Sequence, residues 1–529
     1  MAERSGRSSI CDVSRREHGT FAYVVVGAGT AGCIVAARLA ERGYSVALLE
    51  AGGDYRRVLD VPLIGLWAWL RNPDRYCWNQ YTMPQHQLDG RRVWFPGGRL
   101  TGGSSAINAM IYTRGHPASY DSWGVPGWRF VDLLPYHRRV ERHEFGANAF
   151  HGGGGPIGVS NSRHPFALGD AFIRGCAEIG VEPNADFNGE RTDGAGYYAL
   201  TQYRGLRSVP AKGHLALARD SENFHHETQA LVTRVVFDRG RAIGVTFTRD
   251  GEARAFRATA EVILCAGSVR TPQLLMLSGV GPAESLERLG IPVTADSPGT
   301  GENLQDQVRV PVAFRTRSGS PTRLDRLVVE GVRYVASRSG LLASNVCDVA
   351  AIARTSTCEV PDVRVVLRWR VLPETRLRLV DLEVATLAPR SRGRVALRSA
   401  DPVEAPDIDP GYLTEQSDRD AIQRGITLAR RIASTPSMRE AGITAEYAPG
   451  DVPVEQHVRR HAASAYHPVG TCRMGVDDAS VVDERLRVRG VEGLRVVDAS
   501  VIPSCVSANA QASVMAVAEK GADLLLASA

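Results

Sequence analysis

Tyr23 to Val26 is a short apolar run, and the glycine-rich turn Gly27-Ala28-Gly29-Thr30-Ala31-Gly32 follows it and opens an apolar helical stretch to Arg42. Ser45 to Leu49 is a second apolar run, closed by the acidic Glu50. Strand, turn, helix and strand in this order predict a βαβ unit. The middle of the chain is broken by turn signals such as "HGGGGPIG" at His151 to Gly158. Val262 to Cys265 then predicts a strand that runs into "AGSVRTPQLLMLSGVGP", where Thr271 and Pro272 suit the start of a short helix and Gly279 its end. From about Arg390 strand signals alternate with polar turns, and the periodicity predicts an amphipathic helix near Asp418 to Ala433. Leu494 to Val497 reads as a last strand and Ala512 to Leu526 as a final apolar helix, a pair that suits completion of the first domain.

Each part of the first turn has a physical task. Gly27 allows the tight turn, Gly29 lets backbone approach a pyrophosphate, and Gly32 lets helix and strand pack closely. Thr30 and Ala31 start the helix, whose N-terminus attracts phosphate charge. Glu50, with Ala51 behind it, stands 21 residues after Gly29, where a carboxylate can accept hydrogen bonds from both hydroxyls of an adenosine ribose. Taken alone the motif is a weak signal, and its alternative is a glycine-rich structural turn; the full order of strand, glycines, helix, strand and acid favours a dinucleotide. NAD and FAD present the same adenosine and pyrophosphate, so this segment does not separate them.

At 529 residues the chain is long enough for two to four domains at roughly 150 residues each. Its 43% hydrophobic and 23% charged content is that of a soluble globular protein. The net charge of +5 is small, and basic residues are scattered among acidic ones, so no stripe forms for nucleic acid. The nine cysteines contain no C-x-x-C pair and read as reduced core residues, which points to the cytoplasm. Residues 1 to 20 read as a polar extension. The apolar stretch Val61 to Leu70 contains Pro62 and Gly65 and is about half the ~20 residues that a membrane span needs.

Four separated segments carry a family likeness. They are the dinucleotide opening with "LLEAGG" at Leu48 to Gly53, "GGRLTGGSSAINAMIYTRG" at Gly97 to Gly115, "GSVRTPQLLMLSGVG" at Gly267 to Gly281, and "HPVGTCRMG" at His467 to Gly475 with "RVVDASVIPS" at Arg495 to Ser504 behind it. Together they resemble the glucose-methanol-choline (GMC) oxidoreductases, from Tyr23 to Leu526. The resemblance implies an α/β fold: a Rossmann-like FAD-binding domain from residues 21–160, 206–315 and 476–529, and a substrate domain from 161–205 and 316–475 on a mostly antiparallel sheet with helices. It also implies that Gly102, Gly103, Ser104 and Asn108 pass beside the isoalloxazine ring and that Val232 meets the adenine through its backbone. Asp498 and Ala499 would approach the ribityl-pyrophosphate region, with Asn509 and Ala512 in the closing cofactor segment.

The implied activity is FAD-dependent oxidation of an alcohol, with dioxygen or another acceptor reoxidising the flavin. Hydroxynitrile lyases, fatty-acid photodecarboxylases and a non-catalytic flavin binder share the same outline. Three departures stand out. Ile107 occupies the position of the His that carries covalent flavin in some members, so the FAD is expected to be non-covalent. Gln307 ends "GENLQDQ", where the family usually has His. Gln511 stands where the family has Asn or His.

Hydride removal from an alcohol carbon requires the hydroxyl proton to leave, and a neutral imidazole with a pKa near 6.5 suits that task. His467 is the candidate base; a lone His before Pro is more often structural, and the nine-residue family match favours the functional role. Gln511 is expected beside it over the flavin, orienting substrate through its carboxamide. Asn108 suits either a cofactor contact or a turn-stabilising Asx bond. His225 and His226 diverge on a probable strand, and His137 and His143 lack ligand partners, so no metal site is expected.

Overall fold

In the computed structural model, residues 17–54, 76–317, 324–345, 347–372 and 377–528 are described. Val61 to Leu70 lies outside them, as does most of the expected polar extension. The apolar run at Tyr23 is the end of a longer strand, β1 (Glu17–Val26), which leads through the glycine turn into α1 (Thr30–Glu41) and β2 (Val46–Glu50). Every side chain of β2 is buried, as a central strand of a covered parallel sheet requires. The sheet is completed by β3 (Phe224–Thr228), β4 (Leu231–Asp238), β5 (Arg241–Arg249) and β6 (Glu252–Leu264), in the order β3-β2-β1-β6-β5-β4. β3, β2, β1 and β6 run parallel, and the late strand Leu494–Val496 joins β6 parallel at Val262–Leu264. The end of the chain therefore does complete the first sheet. β4 and β5 add an antiparallel flap.

Two boundaries differ from the sequence reading because pairing overrides local polarity. Glu17 to Thr20, expected in the polar extension, belong to β1, where residues from Glu17 to Phe21 pair with Ala255 to Ala258 of β6. The helix expected to start at Thr271 and Pro272 is α2 (Gly267–Leu277), with Pro272 inside it. Proline cannot donate to the carbonyl four residues back. That carbonyl, on Ser268, instead accepts from the Thr471 hydroxyl at 2.7 Å.

A second sheet is antiparallel throughout its main path, in the order β11 (Ile443–Ala448), β7 (Val308–Thr316), β10 (Arg378–Thr386), β9 (Val363–Val371), β8 (Val349–Ala353) and the short strand Gly194–Tyr197. β7 thus places residues 308–315 in this sheet, whereas the sequence reading grouped them with the first domain. Alternation sorts its faces. Val363, Val365 and Leu367 of β9 enter a core with Val380, Leu382 and Val384 of β10 and with Ile422, Ile426 and Ala429 of α3 (Gln416–Ala433). The opposite face is left for a cavity.

Candidate active site

The loops that leave the parallel strands at their carboxyl ends reach one cavity of about 400 Å³, the usual ligand position in such sheets. Gly27, Gly29, Thr30 and Ala31 line it after β1, and Glu50 and Ala51 after β2. Gly103, Ser104 and Asn108 form part of its wall, as do Val232, Asp498 and Ala499. Gly32, Gly102 and Ala512 do not line it. Gly32 lies beneath, where a Cβ would stand 1.9 Å from the Gly27 carbonyl oxygen, so its role is close packing. Gly102 donates from its backbone to the Ala28 carbonyl at 2.7 Å and so lays the second glycine turn on the first. Ala512 is buried inside the closing helix, which begins at Ala510 rather than at 512.

The Glu50 carboxylate accepts from the backbone N–H of Gly52 at 2.8 Å and of Ala28 at 3.1 Å. Burial pushes its pKa up, and those two donors oppose the rise. Asp498 has no oxygen to spare. It accepts from Gly267 N–H and the Thr271 hydroxyl on one oxygen, and from the Ser500 N–H and hydroxyl on the other. Its carboxylate ties the start of α2 to the end of the last strand.

His467 sits on the cavity wall between two carboxamides, and both orientations are forced. Gln307 Nε2 faces three carbonyl oxygens, of Leu387, Val506 and Ala508, at 2.8 to 3.2 Å, and carbonyls only accept. Gln307 Oε1 is then what meets His467 Nδ1 at 2.8 Å, so Nδ1 carries the proton. On the other side Arg364, which only donates, binds Asn509 Oδ1 at 2.8 Å and turns the Asn509 amide nitrogen toward His467 Nε2 at 2.9 Å. Nε2 is the unprotonated nitrogen. Burial, with the charge of Arg364 beside it, holds the imidazole pKa well below the ordinary value. Asp306 fixes the main chain here by accepting from the His467 N–H at 2.8 Å.

The neighbour of His467 is therefore Asn509 rather than Gln511. Asn509 precedes the first turn of the closing helix, so its side chain crosses the helix mouth. Gln511 lines the same cavity but accepts through Oε1 from Asn108 Nδ2, and its own Nε2 is buried without a partner. Asn108 is oriented in turn by Arg207, which donates to its Oδ1 at 2.8 Å. The same oxygen accepts from Met110 N–H at 3.0 Å, so the Asx bond and the relay to Gln511 coexist. Sequence reading missed Arg364 and Arg207 and left Gln307 without a role. The alternating "VRVVLRWRV" was the available signal for Arg364, since period two puts residues 364, 366 and 368 on one strand face.

The other histidines divide as follows. His225 and His226 do diverge on β3, to Glu227 and Thr101. His143 is not isolated: its ring stacks on His151 at 4.1 Å, and Glu141, His143 and His151 bring possible ligand atoms within 4.8 Å of one another. Protein groups already hold most of them, because Glu141 binds Arg114 at 2.6 Å and His151 at 2.9 Å, and His151 also meets Asp186 at 2.9 Å.

Sequence profiles of the GMC oxidoreductases match residues 21–309 and 389–518. The chain belongs to the GMC oxidoreductase family. It is 37% identical over 537 aligned positions to the mitochondrial choline dehydrogenase of Mus musculus, covering 96% of this chain and 89% of that one. It is 36% identical to the alcohol dehydrogenase (acceptor) of Pseudomonas putida, covering 95% of each. Among solved structures, the pyridoxine 4-oxidase from Mesorbium loti superposes with a TM-score of 0.86 at 28% identity over 95% of this chain and 98% of that one. Formate oxidase of Aspergillus oryzae gives 0.89 at 28% identity over 97% and 99%. This GMC oxidoreductase is an FAD-dependent enzyme acting on CH–OH groups. The cavity fits that cofactor. A Cβ on Gly29 would meet nothing nearer than 3.9 Å, so the turn leaves room for close approach beside the first N–H groups of α1. Glu50 offers acceptors at one end, and the unpartnered Gln511 Nε2 offers a donor at the other.

Proposed function

We propose that this enzyme oxidises its alcohol with His467 as the base, on non-covalently held FAD. The carrying observation is the imposed tautomer: Gln307 Oε1 accepts from the Nδ1–H and leaves the Nε2 lone pair toward Asn509. The alcohol oxygen would enter between these two side chains. Its proton passes to His467 Nε2, while Asn509 Nδ2 donates to the oxygen as it becomes alkoxide-like. FAD, when bound, supplies the hydride acceptor. Glu50 and the backbone at Val232 would hold its adenosine, Gly29 to Ala31 its pyrophosphate, and Gly103 to Asn108 with Gln511 its ring. An imidazole kept neutral by burial stands ready as a base at neutral pH without prior deprotonation.

Ile107 lines the cavity with an alkyl side chain that cannot form a bond to flavin. Acid precipitation should therefore release yellow FAD into the supernatant; colour retained in the pellet overturns the non-covalent assignment. His467→Ala should keep its flavin and slow anaerobic flavin reduction about 10²- to 10⁴-fold, the usual contribution of a positioned base. A near-normal rate in rapid mixing would remove His467 from that role. The eight cysteines among the described residues are all unpaired, which suits a reducing compartment, and we assign the enzyme to the cytoplasm on that ground. No helix among the described residues is long and apolar enough to cross a membrane.

A further inference from the structure

The cavity face of the second sheet carries more positive charge than the protein itself neutralises. Arg364 and Arg368 of β9 face the cavity with Val366 between them, and Arg309 of β7 and Glu383 of β10 join them on the neighbouring strands. Arg309 and Arg368 both donate to the same Glu383 oxygen, each at 2.5 Å. The next carboxylate along β10, Asp381, is taken by Arg370 at 2.9 Å. One carboxylate, Glu383, thus stands among three guanidiniums on this sheet face and is bonded by two of them, Arg309 and Arg368. Arg364 is 6% exposed, it donates to the neutral Asn509 Oδ1 at 2.8 Å, and its buried Nε has no acceptor.

A buried cation that no carboxylate bonds directly is costly, and a guanidinium matches a carboxylate in shape as well as charge. The pyrophosphate of a dinucleotide does not fill this need, since the glycine turn and α1 that suit it lie on the first sheet, whereas Arg364 stands beside His467. We propose that the alcohol oxidised here carries a carboxylate, which docks on the Arg364 side of the cavity while its hydroxyl meets His467. The proposal rests on the reading of this cavity as an alcohol site. It sets this enzyme apart from its relatives named for choline, because a quaternary ammonium would face three guanidiniums.

The test uses the FAD-loaded enzyme, carboxylate–amide pairs of one skeleton, and a quaternary ammonium as the cationic contrast. Flavin absorbance is titrated with benzoate, benzamide and benzyltrimethylammonium, and with propionate against propionamide, none of which can be oxidised as an alcohol. In at least one skeleton the carboxylate should bind about tenfold or more tightly than its amide, with the ammonium weakest and the preference shrinking at high salt. Arg364→Gln, with flavin content checked, should lose most of that preference, and Arg368→Gln part of it. Equal binding of carboxylate and amide by the unmodified enzyme in both skeletons, or tighter binding of the cation, overturns the proposal whatever the variants do. Anaerobic reduction by hydroxymethylbenzoate, benzyl alcohol and choline then separates the two readings. If benzyl alcohol reduces the flavin as efficiently as the carboxylate, alcohol oxidation stands and the charge proposal falls. If benzoate binds preferentially but no alcohol in a wider panel bleaches the flavin, the cavity binds carboxylates, but alcohol oxidation falls and the assignment of a carboxylate-bearing alcohol falls with it.

Discussion

Two arginines determine what the carboxamides around the cavity can do. Amide groups are ambiguous in isolation, since either end can face a neighbour. Arg364 and Arg207 remove that freedom, because a guanidinium only donates: one fixes Asn509 against His467, the other fixes Asn108 against Gln511. The buried Gln511 Nε2 is left as a donor for whatever occupies the cavity. Gln511→Asn should keep anaerobic flavin reduction within roughly tenfold, since one lost hydrogen bond is worth about 1 kcal/mol. Gln511→Leu should slow it further, because it removes the donor and also strands Asn108 Nδ2. Equal rates for Leu and Gln would mean that the residue 511 donor acts on neither the flavin nor the substrate. At this scale the sequence expected Gln511 beside His467; both line the cavity, but the side chain that meets the imidazole is Asn509. Spacing along a loop does not say which side chain crosses a helix mouth.

Among the elements, α2 shows how a sequence signal can be read correctly and placed a turn late. Pro272 is tolerated inside the helix because Thr471, a residue of the same stretch that carries His467, satisfies the carbonyl that proline leaves free. The bond links the first sheet's helix to the loop that carries His467. Thr471 is fully buried, so Thr471→Val leaves the Ser268 carbonyl without its partner and should destabilise the enzyme by about 1–3 kcal/mol. Thermal unfolding measures this, with Thr471→Ser expected to retain most of the wild-type midpoint. A midpoint unchanged in the valine variant would show that the carbonyl finds another donor. The amphipathic α3 was legible within two residues because its stripe packs on one sheet face. The start of β1 was not, because Glu17 to Thr20 look polar and become strand only by pairing with β6.

At the scale of the whole molecule, His151 ties together the stretches that carry Arg114, Glu141 and Asp186. It binds Glu141 and Asp186 through its two ring nitrogens, and Glu141 also holds Arg114. Burial alone would lower the imidazole pKa, but the hydrogen bonds to Asp186 and Glu141 outweigh it and raise the value to about 9. The folded state thus binds the proton more tightly than an unfolded chain, where His titrates near 6.5. The stabilisation is complete below about pH 6.5 and is lost as pH rises through about 9. Urea midpoints should accordingly fall between pH 6.5 and 9 more steeply for the wild type than for His151→Gln. Parallel curves for the two proteins would show that this network does not carry the pH dependence.

By itself the sequence determined the dinucleotide turn, the acid at Glu50, the return of the chain's end to the first sheet and the His467 segment. These are legible because each is a local pattern with a local physical cause: periodicity, a glycine where a Cβ would collide, a strand and helix in fixed order. Tertiary structure decided which polar groups meet. The proton position on His467 depends on Gln307, 160 positions earlier, and on Asn509, 42 positions later. The excess of guanidiniums over carboxylates arises where β7, β9 and β10 lie side by side. Hydrogen-bond partners and charge balance depend on distances in space, and those exist only once the two sheets have closed on the cavity.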